Sequence, residues 1–356
     1  MCGLAMTLAR RAGVCENTGM LGFQPQRWLR GPHAQTLSVT LPIGAPPRSF
    51  RRLAKPFVCA VEGGGWPHDP GPGSVTGTLY WQTGEGRAPL AVLVHGLGGS
   101  DESLYVVQTA RALHARGYHV LALNQRGAGS SAAIAPYLYH AGLTGDVDHV
   151  VRAFAQAPGV DGVVVVGFSI GGNVALRLAG EWADAPPPGV RAVISMAAPV
   201  DLQAAARNLE RWQCAMYRAH VLRGLIAQAV KYRRAHPARA PYSARKVVLC
   251  TQIREYDEQV IVPRYGFESV DDYYARASAG PLLGAIGVPT LALHATDDPM
   301  VPGAGVERAL AGASAKVEVQ ITAHGGHLGW AEDWTGEGLA ERWSTRVMLE
   351  FLERVA

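Results

Sequence analysis

Residues 161–179, DGVVVVGFSIGGNVALRLA, limit the fold of this chain more than any other stretch. Val163 to Val166 form a β-branched run bounded by glycines, the pattern of a strand buried on both faces. The chain then turns through Gly167-Phe168-Ser169-Ile170-Gly171-Gly172 and continues as a helix, with Val174, Leu176 and Leu178 among small residues. A strand that passes into a helix over so few residues brings the two backbones close to collision. Side chains two positions either side of Ser169 would clash there, and both positions are glycine. The hydroxyl is left exposed above the sheet, beside a helix N-terminus that favours developing negative charge. Gly-x-Ser-x-Gly alone is weak in a chain with 42 glycines, where an ordinary strand–helix turn could carry it. The strand before it and the helix after it are what a nucleophile elbow requires.

The rest of the chain supplies neighbours for that strand. Strand patterns recur at residues 75–81, 89–94, 118–123, 191–196, 288–294 and 316–321, and helical periodicity at 103–116, 143–157 and 338–354. Alternating strands and helices predict an α/β fold with a doubly wound, mostly parallel sheet. The long interval at 203–285 carries helical patterns around 204–211 and 217–232, then a basic, Pro-containing stretch from Lys231 to Lys246. A connection of that length inside a compact domain is usually functional, and it reads as a helical cap over the site. The expected organisation is therefore a core at 74–202 and 286–356 with a cap at 203–285. Residues 21–73, rich in Pro, Gly and Arg, read as an irregular N-terminal arm whose contacts include Trp28 and Leu37. Residues 1–20 read as a disordered extension, the first nineteen alternatively as a misplaced start; Arg10-Arg11 follows the short apolar piece, unlike a signal peptide.

Composition excludes several classes. Hydrophobic residues make up 48% of the 356, enough for a large core. The net charge of +4 is small, and no basic run is interleaved with stacking aromatics, so a nucleic-acid partner is not expected. The five cysteines are scattered and form no Cys-x-x-Cys, which predicts a reducing, cytoplasmic setting without a zinc site or a disulfide framework. No run of about 18 apolar residues exists to span a membrane. Lys231, Arg233, Arg234, Arg239, Arg245 and Lys246 read first as a solvated basic face; peripheral contact with anionic lipid is the alternative.

A serine is a weak nucleophile without a base and a group to orient that base. Asp297-Asp298-Pro299 follows the strand ending at His294, and His324-Gly325-Gly326-His327 follows the last strand. Loops that leave neighbouring strands at the same sheet edge can converge on Ser169. His327 is the candidate base. Asp298 is favoured over Asp297 as its orienter by the register from the strand end, and Pro299 limits it to extended conformations. An oxyanion would be held by the backbone N–H groups of Ile170 and of Leu97, the latter in the His95-Gly96-Leu97-Gly98 loop. His95 reads as structural; Arg126 reads either as an anion ligand or as a loop anchor. No cofactor or metal is called for, since His324 and His327 lack further ligands at suitable spacing.

With these residues the chain resembles the α/β-hydrolases, and among them the YheT-like hydrolases with their eukaryotic abhydrolase-domain relatives, from about residue 21 onward. The resemblance rests on HAQT at 33–36, HGLGGS at 95–100, NQRGAG at 124–129 and GFSIGGN at 167–173. It continues through RYGF at 264–267, DYY at 272–274, DDP at 297–299 and GGH at 325–327. It implies a carboxylesterase-like enzyme acting on small-molecule or lipid-like acyl esters, with catalytic Ser169, Asp298 and His327. Two other readings share these residues: an acyltransferase that passes the acyl group to an alcohol, and a non-catalytic binding protein on the same fold. An Asp-nucleophile dehalogenase or epoxide hydrolase is disfavoured by the serine at the elbow.

Overall fold

The computed structural model describes residues 22–41, 46–62, 71–84, 86–332 and 342–355, so the extension expected at 1–20 lies outside the described residues. Helix α1 (Pro32–Ser38) leads into strands β1 (Lys55–Val61), β2 (Gly73–Tyr80) and β3 (Ala88–Val94). Next come α2 (Leu104–Ala115), β4 (His119–Asn124), α3 (Gly145–Ala155), β5 (Val160–Phe168), α4 (Ile170–Trp182) and β6 (Val190–Met196). Helices α5 (Leu202–Leu209), α6 (Ala215–Ala235), α7 (Ile253–Val260) and α8 (Val270–Ala277) separate β6 from β7 (Thr290–Ala295). The chain closes with α9 (Gly303–Leu310), β8 (Val317–Thr322) and α10 (Trp343–Val355).

The eight strands form one sheet in the order β1-β2-β4-β3-β5-β6-β7-β8. From β4 to β8 every pairing is parallel; β1 and β2 join antiparallel at one edge. Strand β5 has neighbours on both sides and apolar side chains on both faces. Val163 and Val165 pack with Val147, Val150 and Val174 of α3 and α4 on one face. Val164 and Val166 pack with Val106, Leu113, Val347 and Phe351 of α2 and α10 on the other. That two-sided burial is why the strand reads as an unbroken valine run rather than an alternation. All six parallel strands run the same way, so the loops after β3, β5, β7 and β8 emerge at one edge. A third apolar cluster joins α5–α8 to Tyr137, Tyr139 and Ile170 above that edge. Among the described residues no helix is long and apolar enough to cross a membrane.

The N-terminal arm differs from expectation in two respects. Residues 55–61 are not irregular but form β1, paired with β2 from Lys55↔Leu79 to Val61↔Gly73. Its outward side chains include Val58, 62% exposed, so apolar residues occupy both faces of an edge strand and erase the alternation that would reveal it. Trp28 and Leu37 are not the main contacts either, being 64% and 44% exposed. The arm is held instead by buried Leu29, Gln35 and Ser38.

Candidate functional site

The turn after β5 has the geometry that its glycines require. Ser169 sits at φ +52°, ψ −119°, a left-handed conformation strained for a side-chain-bearing residue. A Cβ on Gly167 would lie 2.1 Å from the Gly171 carbonyl oxygen, and one on Gly171 would lie 2.2 Å from that of Val94. The Ser169 N–H donates to the Met196 carbonyl at 2.8 Å, which locks the turn to β6.

Ser169, His327 and Asp298 form one hydrogen-bonded line. Ser169 Oγ lies 2.9 Å from His327 Nε2, and His327 Nδ1 lies 2.7 Å from Asp298 Oδ2. Asp298 and His327 are both buried. Asp298 Oδ1 accepts the N–H groups of Met300 at 2.8 Å and Val301 at 2.9 Å, so the carboxylate cannot swing away. Burial alone would raise the Asp298 carboxyl; His327, His294 and the Val301 N–H outweigh it and hold the group below the ordinary aspartate value. Asp297 turns elsewhere, accepting the Gly326 N–H at 2.8 Å and approaching exposed His324 at 3.3 Å.

Leu97 and Ile170 line the cavity beside Ser169. The neighbouring N–H groups of the Leu97 loop are occupied: Gly96 donates to Tyr105 Oη and Gly98 to Tyr139 Oη, both at 2.8 Å. Among the described residues the Leu97 and Ile170 N–H groups have no acceptor, and Ile170 opens α4, where no intrahelical partner exists. His95 is fully buried, with Nδ1 on the Gly96 carbonyl at 2.8 Å and Nε2 accepting the Gln125 N–H at 3.2 Å. Burial pushes its pKa down to about 4, so it is a neutral structural group at pH 7. Arg126 is likewise internal: Nε and Nη2 grip buried Asp146 at 2.7 and 2.5 Å, anchoring its loop. In the basic stretch of the insertion, Lys231 donates to the Gly129 carbonyl and Arg233 to those of Ala240 and Tyr242.

The arm contributes a role that sequence reasoning did not assign. Thr36 Oγ1 accepts the His327 N–H at 2.9 Å and donates to the Pro32 carbonyl at 2.7 Å. Gln35 donates to the carbonyls of Leu29 and Ala331 and accepts the Ala331 N–H. Buried Arg342 ties Ser38 to the Gly329 carbonyl. The distinctive HAQT stretch is therefore the clamp on the histidine loop. From the same helix, His33 Nδ1 meets Tyr217 Oη of α6 at 2.6 Å, with the two rings stacked.

Above Ser169 and His327 lies a cavity of about 280 Å³. Leu202, Ala205, Ala206 and Leu209 of α5, with Ile253, Met300 and Val301, give it a largely apolar lining. Thr36, Leu37, Val39 and Thr40 of the arm close one side, and Tyr217 and Val221 of α6 another.

Residues 89–333 match the family described as alpha/beta hydrolase fold. YheT of Escherichia coli (strain K12) is 31% identical over 314 residues, covering 86% of each chain. The phospholipase ABHD3 of Mus musculus is 28% identical over 245 residues, which cover 68% of this chain and 59% of that protein. The monoacylglycerol lipase of Saccharomyces cerevisiae is 25% identical over 271 residues, covering 74% of this chain and 59% of that one. Among solved structures, the esterase Pf2001 of Pyrococcus furiosus superposes with a TM-score of 0.54 at 16% identity, over 87% of this chain and 96% of that one, a likeness of fold. With the sheet order and these matches together, the chain belongs to the α/β-hydrolase family, in the YheT-like group.

Proposed function

We propose that this chain is a serine hydrolase that cleaves carboxylic esters through Ser169, His327 and Asp298. The observation that carries the reading is the unbroken line from Ser169 Oγ to His327 at 2.9 Å and on to Asp298 at 2.7 Å, on the floor of an apolar cavity. Ser169 Oγ attacks the ester carbonyl carbon while its proton passes to His327 Nε2. The N–H groups of Leu97 and Ile170 receive the negative oxygen that forms. The carbon–oxygen bond to the alcohol breaks as His327 returns the proton to the leaving oxygen. Water then attacks the acyl-enzyme, again giving a proton to His327, and the free acid leaves with Ser169 restored. Asp298, kept ionised by its neighbours, holds the Nδ1–H tautomer and stabilises the imidazolium. The names of the relatives, a phospholipase and a monoacylglycerol lipase, support ester chemistry. The cavity volume stands at the small end of ligand pockets and suits a short to medium apolar chain.

A fluorophosphonate probe tests the nucleophile, and p-nitrophenyl esters of graded chain length test the reaction. The wild type should label and turn over ester to free acid, also when dilute alcohol is added. Ser169→Ala should not label, and its kcat should fall by about 10⁶. Equal labelling of both proteins would remove Ser169 from the mechanism, and dominance of the transferred ester in dilute alcohol would make the enzyme an acyltransferase.

A further inference from the structure

The mechanism leaves one buried acid of this cavity without a task. Asp257 on α7 is 7% exposed and lines the same cavity as Ser169. Its Oδ2 accepts the hydroxyl of Tyr274, on α8, at 2.7 Å. Among the described residues its other oxygen has no protein partner and no cation forms an ion pair with it. The nearby Arg254 is committed to Asp271, through Nη1 at 2.7 Å and Nη2 at 2.9 Å. That second Asp257 oxygen is not sealed off, and on a residue that lines a largely apolar cavity it offers a free hydrogen-bond acceptor. Joining α7 to α8 requires only the oxygen that Tyr274 uses.

We propose that Asp257 is a polar subsite of this cavity that takes a hydroxyl group carried by the ester substrate, on its acyl or its alcohol part. The proposal rests on the ester-hydrolase reading and narrows its substrate class to hydroxylated esters. A hydroxyl fits better than an ammonium group. Burial pushes the Asp257 carboxyl up to about 7, so both of its forms are present near neutral pH. A hydroxyl donates to the ionised form and accepts from the protonated one, whereas an ammonium pairs with the ionised form alone and is repelled by Arg254. The apolar walls between Ser169 and Asp257 would hold the intervening chain, and the hydroxyl would fix how far it enters.

The test compares hydroxylated with plain esters of matched length. One series carries a terminal hydroxyl on the acyl chain of p-nitrophenyl esters; the other consists of diol monoesters against simple alkyl esters. At one length in one series, the hydroxylated ester should exceed its plain partner in kcat/KM by about 10- to 100-fold, the worth of a hydrogen bond to a charged or partly charged group. The series in which this occurs identifies the part of the substrate that reaches Asp257. In Asp257→Leu the ratio should fall to about one. In Asp257→Asn, which keeps the shape should the leucine variant not fold, it should fall at least about threefold. A wild-type ratio near one at every length in both series, or a ratio that neither variant changes, overturns the proposal. Calorimetric binding of the matching long-chain diols and alcohols to Ser169→Ala reads the same preference without turnover. If no ester is hydrolysed yet the diol binds more tightly through Asp257, the hydrolase reading fails and the subsite stands. Hydrolysis without any hydroxyl preference is the reverse case.

Discussion

Asp297 and Asp298 are adjacent and chemically identical, yet their surroundings divide the work. Asp298 lies at 2.7 Å from His327 and accepts two further N–H groups, while Asp297 pins the Gly326 N–H. Replacing the orienter while keeping its shape costs about 10⁴ in kcat where such an array operates. Asp298→Asn should lose activity on that scale, and Asp297→Asn about tenfold or less, since it perturbs only a loop contact. Steady-state kinetics on both folded variants decides, and reversed losses would transfer the role to Asp297. The placement of Asp298, rather than Asp297, beside His327 was legible because β7 runs straight into the loop and counts the register. Asp257 was not legible: in Arg254-Glu255-Tyr256-Asp257-Glu258 it stands among charges and reads as solvated. Only the packing of α7 on α8 buries it. Its carboxyl rises from 3.8 to about 7, so between those values the folded protein retains a proton that the unfolded chain has lost. Stability from this group is therefore greatest at low pH and is lost as pH rises toward about 7. Thermal melts should show Asp257→Asn gaining on the wild type between about pH 5 and about pH 8. A constant offset across that range would contradict the shift.

The decisive element is short. Helix α1 spans seven residues, but its side chains meet the histidine loop nearly 300 positions away in sequence, as in the bond from the His327 N–H to Thr36. The loop is shaped to receive it: a Cβ on Gly326 would fall 2.5 Å from the Pro32 carbonyl oxygen, and one on Gly329 equally close to that of Gln35. Leu328 and Trp330 accept positive φ values of 61° and 42° in the same loop. Side-chain bonds to distant backbone leave no periodicity, which is why HAQT was conspicuous in the sequence but without a role. The parallel strands and their helices were legible because burial on two faces and 3.6-residue spacing both mark the chain locally. Thr36→Val keeps the shape and strands the His327 N–H, a loss of about 1–3 kcal/mol. Its kcat should fall about tenfold with KM changed less, and Thr36→Ser should restore most of the rate. A Thr36→Val enzyme with wild-type kcat would show that the loop holds its position without the arm.

At the scale of the whole molecule, three parts that are distant in sequence build one cavity. The sheet edge brings Ser169 and His327, the helices between β6 and β7 bring the apolar wall, and the arm brings Thr36, Leu37, Val39 and Thr40. The arm touches both other parts, gripping the histidine loop through Gln35 and Thr36 and α6 through the His33–Tyr217 pair. Its first part, residues 22–41, adds little to the main core: α1 belongs to none of the three apolar clusters, and Phe23 and Val39 only pack against the edge of one. Removing residues 1–41 should therefore affect catalysis more than folding. With the clamp gone, His327 is free to drift, and a displacement of about 1 Å is enough to cost about 10² in rate. The truncated protein should keep its helix and strand content by circular dichroism. Its kcat/KM and its rate of fluorophosphonate labelling should drop together by at least that factor, because both depend on His327 activating Ser169. Adding a peptide of residues 22–41 in trans should recover part of both rates. If the truncated chain stays folded and labels within about threefold of wild type, the arm covers the cavity without positioning the base.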